Sequence, residues 1–430
     1  MKEIQTAVSC RKVALLSVML LFLVGAAMAT SDVTISGAVT SAYNNYTVIF
    51  SNEPNSIKVV DVLNNGPDTA NDVVVNLYVS DVSSGTSVVA TSNVGTLTNG
   101  AKTTVTLIDP TIRTAEGATI SYTARVNTST AESDYSNNDK TSANIGTAYN
   151  GYKGKCYWTG ASDITTQHNY DLNGVDMAYY TQPSSAYKGV GWTTRDEIWT
   201  AANLPIPEDA NIEAAWLYIS YNWDTTSGGK PNVTASFNSN TLTLGTPYTD
   251  KSNMGTYGNY KYGLYPAIDV RTYFNANSDN TLNVTRNTGN SNALYPSTLV
   301  VVYRDEFSDT RKQIFINEEC DELLLSDGYG VNLTEATAYA PFTGMTITPG
   351  SVQSATLYSF AGSAGTNEGN LLFNGNTVAT NAWQGSSSTA SPLIYNVPVA
   401  NLTAAGNEAG IQGTQSGGML ALQQILVVRY

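Results

Sequence analysis

The length, composition and charge of the chain limit the classes of protein to which it can belong. The chain has 430 residues, and 35 Asp and Glu against 21 Lys and Arg give a formal net charge of −14. This balance excludes the clustered cations that bind nucleic acid, so we expect no nucleic-acid partner. Only 13 % of the residues are charged, and the 27 Tyr stand beside many Asn, Ser and Thr. That composition is typical of all-β proteins, in which Tyr and Thr occupy strands and Asn occupies turns.

Residues 1–29 predict a signal peptide for export. Residues 13–27 are apolar and are preceded by three cations, Lys2, Arg11 and Lys12. The segment ends in Ala-Met-Ala, the small-residue form of a cleavage site. The apolar run is shorter than the roughly 20 residues that span a bilayer, so we expect cleavage instead of a transmembrane anchor. The mature protein is therefore expected to be extracellular, either secreted or associated with the cell surface.

Residues 30–147 predict an Ig-like β-sandwich. Two β-branched runs at residues 57–63 and 72–81, IKVVDVL and DVVVNLYVSD, flank the turn-forming sequence NNGPDTAN. Further along the chain, apolar residues alternate with polar ones at Ile120, Tyr122, Ala124 and Val126. Alternation at a period of two indicates antiparallel sheets that bury one face each.

The same region resembles a known family of surface modules. The sequence VVDVLNNGPDTANDVVVNLYVS, with AESDYSNND further along, is similar to the cell-adhesion-related (CARDB) Ig-like domain of bacterial and archaeal surface proteins. That family is not known as a catalytic one. The resemblance therefore implies a spacer or an adhesive module.

The rest of the chain contains an internal duplication. The sequence FNSNTL at residues 237–242 returns as FNGNTV at residues 373–378, within a longer series of matching strand-like segments in the same order. Matched positions include Ala215 and Ala355, Leu217 and Leu357, Asn280 and Asn407, and Leu299 and Leu426. We therefore predict two repeated β-sandwiches of jelly-roll type, residues 148–310 and residues 311–430.

Two local patterns specify parts of each repeat. The F-N-x-N-T sequence predicts a hairpin tip, because Asn and Gly accept the positive φ that a tight hairpin requires. The continuous apolar run LVVVY at residues 299–303 predicts a central strand that is covered on both faces.

The repeats also resemble an uncharacterised family of exported archaeal proteins, best known from methanogens. The residues that carry the resemblance are NTLNV at residues 280–284 and the segment from Leu299 to Glu319, which contains LVVVYRDE and IFINEE. In that family an adhesion-related Ig-like module often precedes such a duplicated region. The resemblance implies a location and an architecture, and it does not imply a reaction.

The single histidine of the chain limits the enzyme classes that are possible. A Ser-His-Asp triad would have to use His168, and the surrounding sequence TTQHNYD gives no sign of an activated side chain. We expect His168 to lie in an exposed loop. The sequence therefore predicts no catalytic residue and no enzymatic activity.

The densest group of acidic residues is in the sequence NEECDELLLSDG. Its carboxylates would form a solvated acidic face, a Ca²⁺ site, or a catalytic carboxylate pair. The group is a candidate for Ca²⁺ because this ion accepts six to eight oxygen ligands. The candidate ligands are Glu318, Glu319, Asp321, Glu322 and Asp327. A structural Ca²⁺ is the one cofactor that the sequence suggests.

The cysteines predict a disulfide in the mature chain. Cys10 lies in the predicted signal peptide, which leaves Cys156 and Cys320. An even pair in an exported protein favours one disulfide bond. Two free, buried thiols are the alternative.

Tyrosine-rich segments are candidates for glycan binding, because aromatic rings pack on the C–H faces of sugars while amides bind the hydroxyls. The candidates in YGNYKYGLYP are Tyr257, Tyr260 and Tyr262, and the alternative role is a strand scaffold. Possible N-glycosylation sequons occur at Asn45, Asn127, Asn232, Asn283, Asn332 and Asn401.

These observations favour an exported structural or adhesion protein of the cell surface. The expected partners are a component of the cell envelope, a glycan or a second copy of the chain. A glycan-binding module is the first alternative. A carbohydrate-active enzyme is the second, and it would need two opposed carboxylates in a cleft.

Overall fold

The computed structural model describes residues 30–43, 47–158, 160, 162–226, 230–251, 261–287, 291–390, 392–414 and 418–430. The predicted signal peptide, the Asn45 sequon, Tyr257 and Tyr260 lie outside the described residues. In the described part of the chain the structure is all-β, which confirms the predicted fold class, and the single α-helix is Lys155–Trp158. None of the helices there is long and apolar enough to cross a membrane.

The structure divides into two compact units, and the first is the Ig-like module. It contains residues up to 42, residues 54–112 and residues 118–146. The strands of the chain up to residue 148 are β1 (Val33–Ile35), β2 (Val39–Ser41), β3 (Val48–Phe50), β4 (Asn55–Asn64), β5 (Ala70–Val79), β6 (Val88–Leu97), β7 (Lys102–Asp109), β8 (Thr119–Ile120), β9 (Tyr122–Asn127), β10 (Asp139–Thr141) and β11 (Ile145–Ala148).

The Ig-like module is built on two four-stranded antiparallel sheets. One has the order β10–β9–β5–β6, and the other has the order β1–β4–β2 with β7 also paired to β4. The alternating residues of β8 and β9 are all buried, as their period of two predicts: Ile120, Tyr122, Ala124 and Val126. Each sheet thus contributes one apolar face to the core.

The second unit holds the strands from residue 165 onward. The first group is β12 (Thr165–Asn173), β13 (Val175–Thr181), β14 (Thr194–Trp199), β15 (Asn211–Tyr218), β16 (Ser220–Asp224), β17 (Val233–Phe237), β18 (Asn240–Thr241), β19 (Tyr248–Lys251), β20 (Lys261–Leu264), β21 (Ile268–Asp269), β22 (Asn280–Arg286), β23 (Ala293–Leu294) and β24 (Thr298–Arg304). The second group is β25 (Arg311–Leu323), β26 (Thr337–Pro341), β27 (Ser354–Gly362), β28 (Thr366–Glu368), β29 (Asn370–Phe373), β30 (Asn376–Ala379), β31 (Trp383–Gln384), β32 (Pro392–Val397), β33 (Glu408–Gln412) and β34 (Met419–Arg429).

These strands form two jelly rolls with the same strand order. The first jelly roll consists of the sheets β13–β24–β15–β21 and β14–β22–β17–β18. The second consists of β25–β34–β27–β32, with β12 added outside β25, and β26–β33–β29–β30. The registers agree as well, since Leu217 lies opposite Leu299 in the first jelly roll and Leu357 lies opposite Leu426 in the second. β12 lies within residues 148–310 but joins a sheet of the second jelly roll.

The two F-N-x-N-T sequences are two-residue hairpins. Phe237 pairs with Asn240, and the loop residues Asn238 and Ser239 have φ values of 46° and 65°. In the second copy Phe373 pairs with Asn376 around Asn374 and Gly375, whose φ values are 49° and 75°. Two successive positive φ values are typical of the type I′ turn, whose twist matches that of the strands.

Three apolar clusters show how the two jelly rolls pack. One fills the first jelly roll and one fills the second. A third joins the sheet β13–β24–β15–β21 of the first jelly roll to the sheet β25–β34–β27–β32 of the second, face to face. In β24, Leu299 and Val301 belong to the first cluster, whereas Val300 and Val302 belong to the third. β24 is therefore covered on both faces, as its continuous apolar sequence predicts. We call the third cluster the inter-roll layer.

Candidate functional site

A pocket of about 400 Å³ borders the inter-roll layer, and it is the candidate functional site. Both jelly rolls contribute residues, and Tyr262, Tyr295 and Leu420 belong to the layer and to the pocket. The lining is Tyr152, Tyr187, Asn222, Trp223, Tyr262, Tyr295, Glu322, Leu324, Tyr329, Ser363, Ser387, Gly418 and Leu420. We call it the aromatic pocket.

Its six aromatic rings form three neighbouring pairs. The ring centroids are 5.7 Å apart for Tyr187 and Tyr295, with an angle of 57° between the ring planes. They are 6.2 Å apart for Trp223 and Tyr262. The third pair is Tyr152 and Tyr329, at 5.4 Å. Tilted rings at these distances hold each other in place, because the edge of one aromatic ring attracts the face of its neighbour. The walls of the pocket are therefore apolar and pre-arranged.

Trp223 reaches the pocket from a distorted strand. It has a φ of 55°, which is unusual for a large side chain and costs on the order of 1–2 kcal/mol. The strand partners shift between Tyr221 and Asp224, so β16 carries a bulge at this position. A bulge turns a side chain away from the regular alternation. Here the bulge places Trp223 at the pocket, and the surrounding structure maintains the strain.

A side-chain amide connects two of the tyrosines. The Asn222 Nδ2 atom donates to the Tyr295 hydroxyl at 3.0 Å, and the Tyr187 hydroxyl donates to Asn222 Oδ1 at 3.4 Å. Asn222 and Tyr295 are buried. The two rings therefore have fixed orientations, and burial raises the pKa of Tyr295 above the usual range of a phenol.

A buried ion pair behind the pocket holds the Tyr295 main chain. Arg195 and Glu197 are fully buried, and their charged groups lie 3.3 Å apart. Arg195 donates to the Tyr295 carbonyl and to Ser297 Oγ, and Glu197 Oε1 accepts from the Ser297 amide at 3.0 Å. Two charges taken out of water need such additional hydrogen bonds. The pair orders the segment that carries Tyr295.

Glu322 contributes the carboxyl group of the pocket. Its exposed fraction is 5 %. Tyr262 hydrogen-bonds to this carboxyl group. The Glu322 Oε2 atom has no hydrogen-bond partner among the described residues. Burial, together with the charge of Asp250, raises the pKa of Glu322 well above its ordinary value. Asp250 accepts a hydrogen bond from the Glu322 amide at 2.8 Å.

The predicted acidic group does not form a solvated face. Glu318, Asp321 and Glu322 are buried, because β25 lies between β12 and β34 and is covered by the first jelly roll. Only Asp327, in a short 3₁₀ segment after the strand, is exposed. The sequence indicates many carboxylates, but it does not reveal the layer that covers them.

The same carboxylates accept hydrogen bonds from protein groups, and Asp321 and Glu319 share Lys155 as a partner. Glu318 accepts from the Ala267 amide at 3.1 Å, and Asp321 accepts from the Lys155 amide at 3.0 Å. The Glu319 carboxylate pairs with the Lys155 ammonium group. Among the residues that the structure describes, no group of three or more His, Cys, Asp or Glu side chains could hold a metal ion. The Ca²⁺ site thus remains a prediction without a matching set of ligands in that part of the chain.

The predicted disulfide is absent, and both Cys156 and Cys320 are free thiols. Cys320 is fully buried in the inter-roll layer, where it packs as a small apolar residue. The Cys156 thiol hydrogen-bonds to Asp163, whose other contacts fix the short helix. Burial raises the pKa of both thiols, so both are protonated. Each sulfur therefore has its own packing environment.

The prediction of a loop histidine is wrong, because His168 lies in strand β12. Its ring stacks on Trp216, with centroids 3.9 Å apart and an interplanar angle of 16°. Burial lowers the pKa of His168, so the ring is neutral at pH 7. The histidine thus covers an aromatic surface of the first jelly roll.

The remaining predicted residues have different surroundings. Tyr262 is buried and lines the aromatic pocket, so it is the one described member of its tyrosine group. Asn283 lies in β22, a strand paired on both sides. The other described sequons are exposed at Asn127, Asn232, Asn332 and Asn401. Sequence reasoning missed the pocket residues Tyr187, Asn222, Trp223 and Tyr295, for which no local motif is a signal.

The fold and the site define an all-β protein in which an adhesion-related Ig-like module precedes a pair of jelly rolls with an aromatic pocket. Comparison with protein families agrees with this architecture. Residues 151–429 match the family described as "Protein of unknown function (DUF3344)", and residues 30–142 match CARDB. The chain belongs to the DUF3344 family.

Comparison with solved structures gave distant matches. The α-L-rhamnosidase of Streptomyces avermitilis is 13 % identical, with a TM-score of 0.19, and the match covers 93 % of this chain and 39 % of the enzyme. The α-L-rhamnosidase of Aspergillus terreus is 12 % identical, with a TM-score of 0.20 and coverages of 89 % and 49 %. A β-porphyranase from Bacteroides plebeius is 14 % identical, with a TM-score of 0.18 and coverages of 52 % and 37 %.

The chain spans less than half the length of each of these enzymes. The TM-scores are too low to support an argument about fold or function. No curated protein matched the chain.

Proposed function

We propose that the protein is an exported adhesion protein of the cell surface that binds carbohydrate in the aromatic pocket without catalysing a reaction. The observation that carries the proposal is the pocket itself, in which aromatic rings surround an amide, a carboxyl group and two serine hydroxyls. Its volume of about 400 Å³ lies in the range typical of small-molecule sites, roughly 300–1,000 Å³.

The chemistry of the lining suits a sugar. The C–H faces of a pyranose pack on aromatic rings, and its hydroxyls exchange hydrogen bonds with amides, carboxyls and hydroxyls. The pocket supplies the rings through Tyr187 and Trp223 and the polar groups through Asn222, Glu322 and Ser363. Because neighbouring rings and Asn222 fix the walls, binding costs little conformational entropy.

The Ig-like module supports a role in surface attachment. Residues 30–142 match CARDB, an adhesion-related domain, and the predicted signal peptide would export the chain. We propose that this module acts as a spacer or as a contact to other envelope components, while the jelly rolls bind the glycan.

The lining also favours binding without catalysis. Glycosidases use two carboxyl groups that are roughly 5–9.5 Å apart on either side of the scissile bond. Among the described residues, Glu322 is the carboxyl group that lines the pocket. We therefore expect a bound oligosaccharide to remain intact.

A binding experiment with the purified full chain tests this proposal. We expect a hit on a glycan array, followed by measurable binding of the same glycan in calorimetry. The Tyr187→Ala substitution removes an aromatic ring on which the sugar would stack, and we expect it to weaken glycan binding about tenfold. Tyr135→Ala is the matched control, because Tyr135 is an exposed ring of the Ig-like module. Absence of any hit, or equal affinities for the two variants, would contradict glycan binding in this pocket, and release of reducing ends would contradict the non-catalytic role.

A further inference from the structure

Among the described residues, the Glu322 carboxyl group has fewer hydrogen-bond and charge partners than a buried carboxylate needs. It is buried, it faces the aromatic pocket, and no residue in the part of the chain that the structure describes hydrogen-bonds to its Oε2 atom. A buried carboxylate without a cation or a full set of donors is costly. Tyr262 supplies one donor. The open oxygen therefore indicates a ligand group that donates hydrogen bonds, carries positive charge, or does both.

The rings around Glu322 favour a positive charge. Tyr262 hydrogen-bonds to the carboxyl group, Tyr295 lines the same pocket, and Trp223 lies 6.2 Å from Tyr262 between ring centroids. The face of an aromatic ring attracts a cation within about 6 Å of its centroid, and Trp and Tyr do so most strongly. Rings on several sides of one carboxylate form the arrangement that binds an ammonium group.

The negative charge beside Glu322 and the net negative charge of the whole chain also favour a positively charged ligand. Asp250 accepts a hydrogen bond from the Glu322 main chain, so a second acidic side chain lies beside the first. The whole chain has a formal net charge of −14, which attracts cationic ligands over a distance of several ångströms. A cation in the pocket would also favour the ionised form of Glu322, which burial disfavours.

We propose that the aromatic pocket receives a positively charged ammonium group, which pairs with Glu322 and is surrounded by the rings of Trp223, Tyr262 and Tyr295. Two sources carry this chemistry, an amino sugar of a glycan and a small alkylammonium ion. Where the source is an amino sugar, the inference rests on the proposed function and names its substrate class.

Two pairs of ligands, each with a charged and a neutral member of similar shape, test whether the pocket prefers a positive charge. Choline is compared with 3,3-dimethylbutan-1-ol, its neutral isostere, and glucosamine is compared with glucose, each by calorimetry with the purified full chain. We expect the charged member of at least one pair to bind about tenfold more tightly than its neutral partner. Equal affinities within both pairs would overturn the ammonium inference.

Variants of the pocket residues then test which side chains cause the preference for the charged ligand. Glu322→Gln keeps the shape and is expected to abolish the preference for the charged ligand. Glu208→Gln is the matched control, because Glu208 is exposed in the same unit. Trp223→Leu keeps an apolar wall without a π face and is expected to reduce the preference while neutral ligands still bind. A preference that persists in both pocket variants would overturn the assignment, even if one variant folded poorly.

The two proposals fail in different ways. If the sugars bind but the affinities are equal within both ligand pairs, the glycan function stands and the ammonium inference is wrong. If choline binds more tightly than its neutral isostere and the glycan array gives no hit, the ammonium inference stands and the glycan function is wrong. If all four ligands and the glycan array give no binding, both proposals are wrong.

Discussion

Asn280 and Asn407 are buried amides that organise equivalent loops in the two jelly rolls. Asn280 accepts from the Asn275 amide at 2.8 Å and donates to the Asn275 carbonyl at 2.8 Å. Asn407 has the same relation to Thr403, at 2.9 Å and 2.7 Å. Each is also bonded to the first Asn of a hairpin tip, Asn238 or Asn374. The Asn residues of the repeated sequence thus have a structural role.

Removal of one such amide tests its contribution to stability. Asn280→Ala removes hydrogen bonds to the Asn275 amide, the Asn275 carbonyl and the Ser278 carbonyl. Because each such bond contributes about 1 kcal/mol, we expect the free energy of unfolding to fall by about 3 kcal/mol. Asn277→Ala, an exposed Asn of the same loop, is the control and is expected to have little effect. Urea denaturation of both variants measures the difference. Similar losses in the two variants would show that the buried amide has no special role.

At the level of secondary-structure elements, the two hairpins differ at one residue. The second loop position is Ser239 in the first jelly roll and Gly375 in the second, and both have a positive φ. Glycine adopts this conformation without the steric cost that a Cβ atom brings. A Cβ atom on Gly375 would meet no atom within 4 Å, so the backbone conformation accounts for most of the free-energy difference between Gly and Ser at this position. The duplication therefore supplies a natural pair for comparison.

Reciprocal substitutions measure this backbone term. We expect Ser239→Gly to stabilise the protein and Gly375→Ser to destabilise it, each by about 1 kcal/mol. Thermal denaturation of the two variants and the parent chain is the measurement. Changes of the same sign in both variants would indicate that side-chain contacts outweigh the conformational preference.

At the scale of the whole second unit, acidic side chains are buried beside and within the inter-roll layer. Burial raises the pKa values of Asp163, Glu318, Glu319, Asp321 and Glu322 above their ordinary values of 3.8 for Asp and 4.5 for Glu. The folded protein consequently binds more protons than the unfolded chain at pH values above these ordinary values. Asp171, beside Arg311, has a lowered pKa and acts in the opposite direction, but both side chains are partly exposed, so solvent weakens the effect.

The raised pKa values predict a stability that decreases with pH. The contribution of these carboxyls is fully present below pH about 4 and is lost as the pH rises through the raised values of the folded state. We therefore expect the free energy of unfolding to fall as the pH rises above the ordinary value of 4.5 for Glu. Urea denaturation at a series of values from about pH 5 to about pH 8 measures the change.

An isosteric substitution identifies the groups that are responsible. Asp321→Asn retains an acceptor for the Lys155 amide but removes the titration, so we expect a shallower dependence on pH. Asp327→Asn is the control, because Asp327 is exposed. Stability that rises from pH 5 to pH 8, or the same slope in both variants, would contradict the explanation.

The predictable parts of the structure are those set by local sequence. The alternation from Ile120 to Val126, the positive φ at the two hairpin tips and the two-sided burial of β24 all follow from periodicity and turn chemistry. Together with the internal duplication, these patterns predict an all-β chain with an Ig-like module and two jelly rolls.

The tertiary structure alone decided the site and the environment of the charged residues. Tyr187, Trp223 and Tyr295 are far apart in the sequence of the first repeat, and Glu322 joins them in the pocket only because two jelly rolls pack face to face. The same packing buries the acidic strand β25 with Cys320, whereas Cys156 lies in the short helix Lys155–Trp158, and both are free thiols. The pattern of a strand indicates whether each of its faces is covered, as in β24, but it does not indicate which distant segment covers that face.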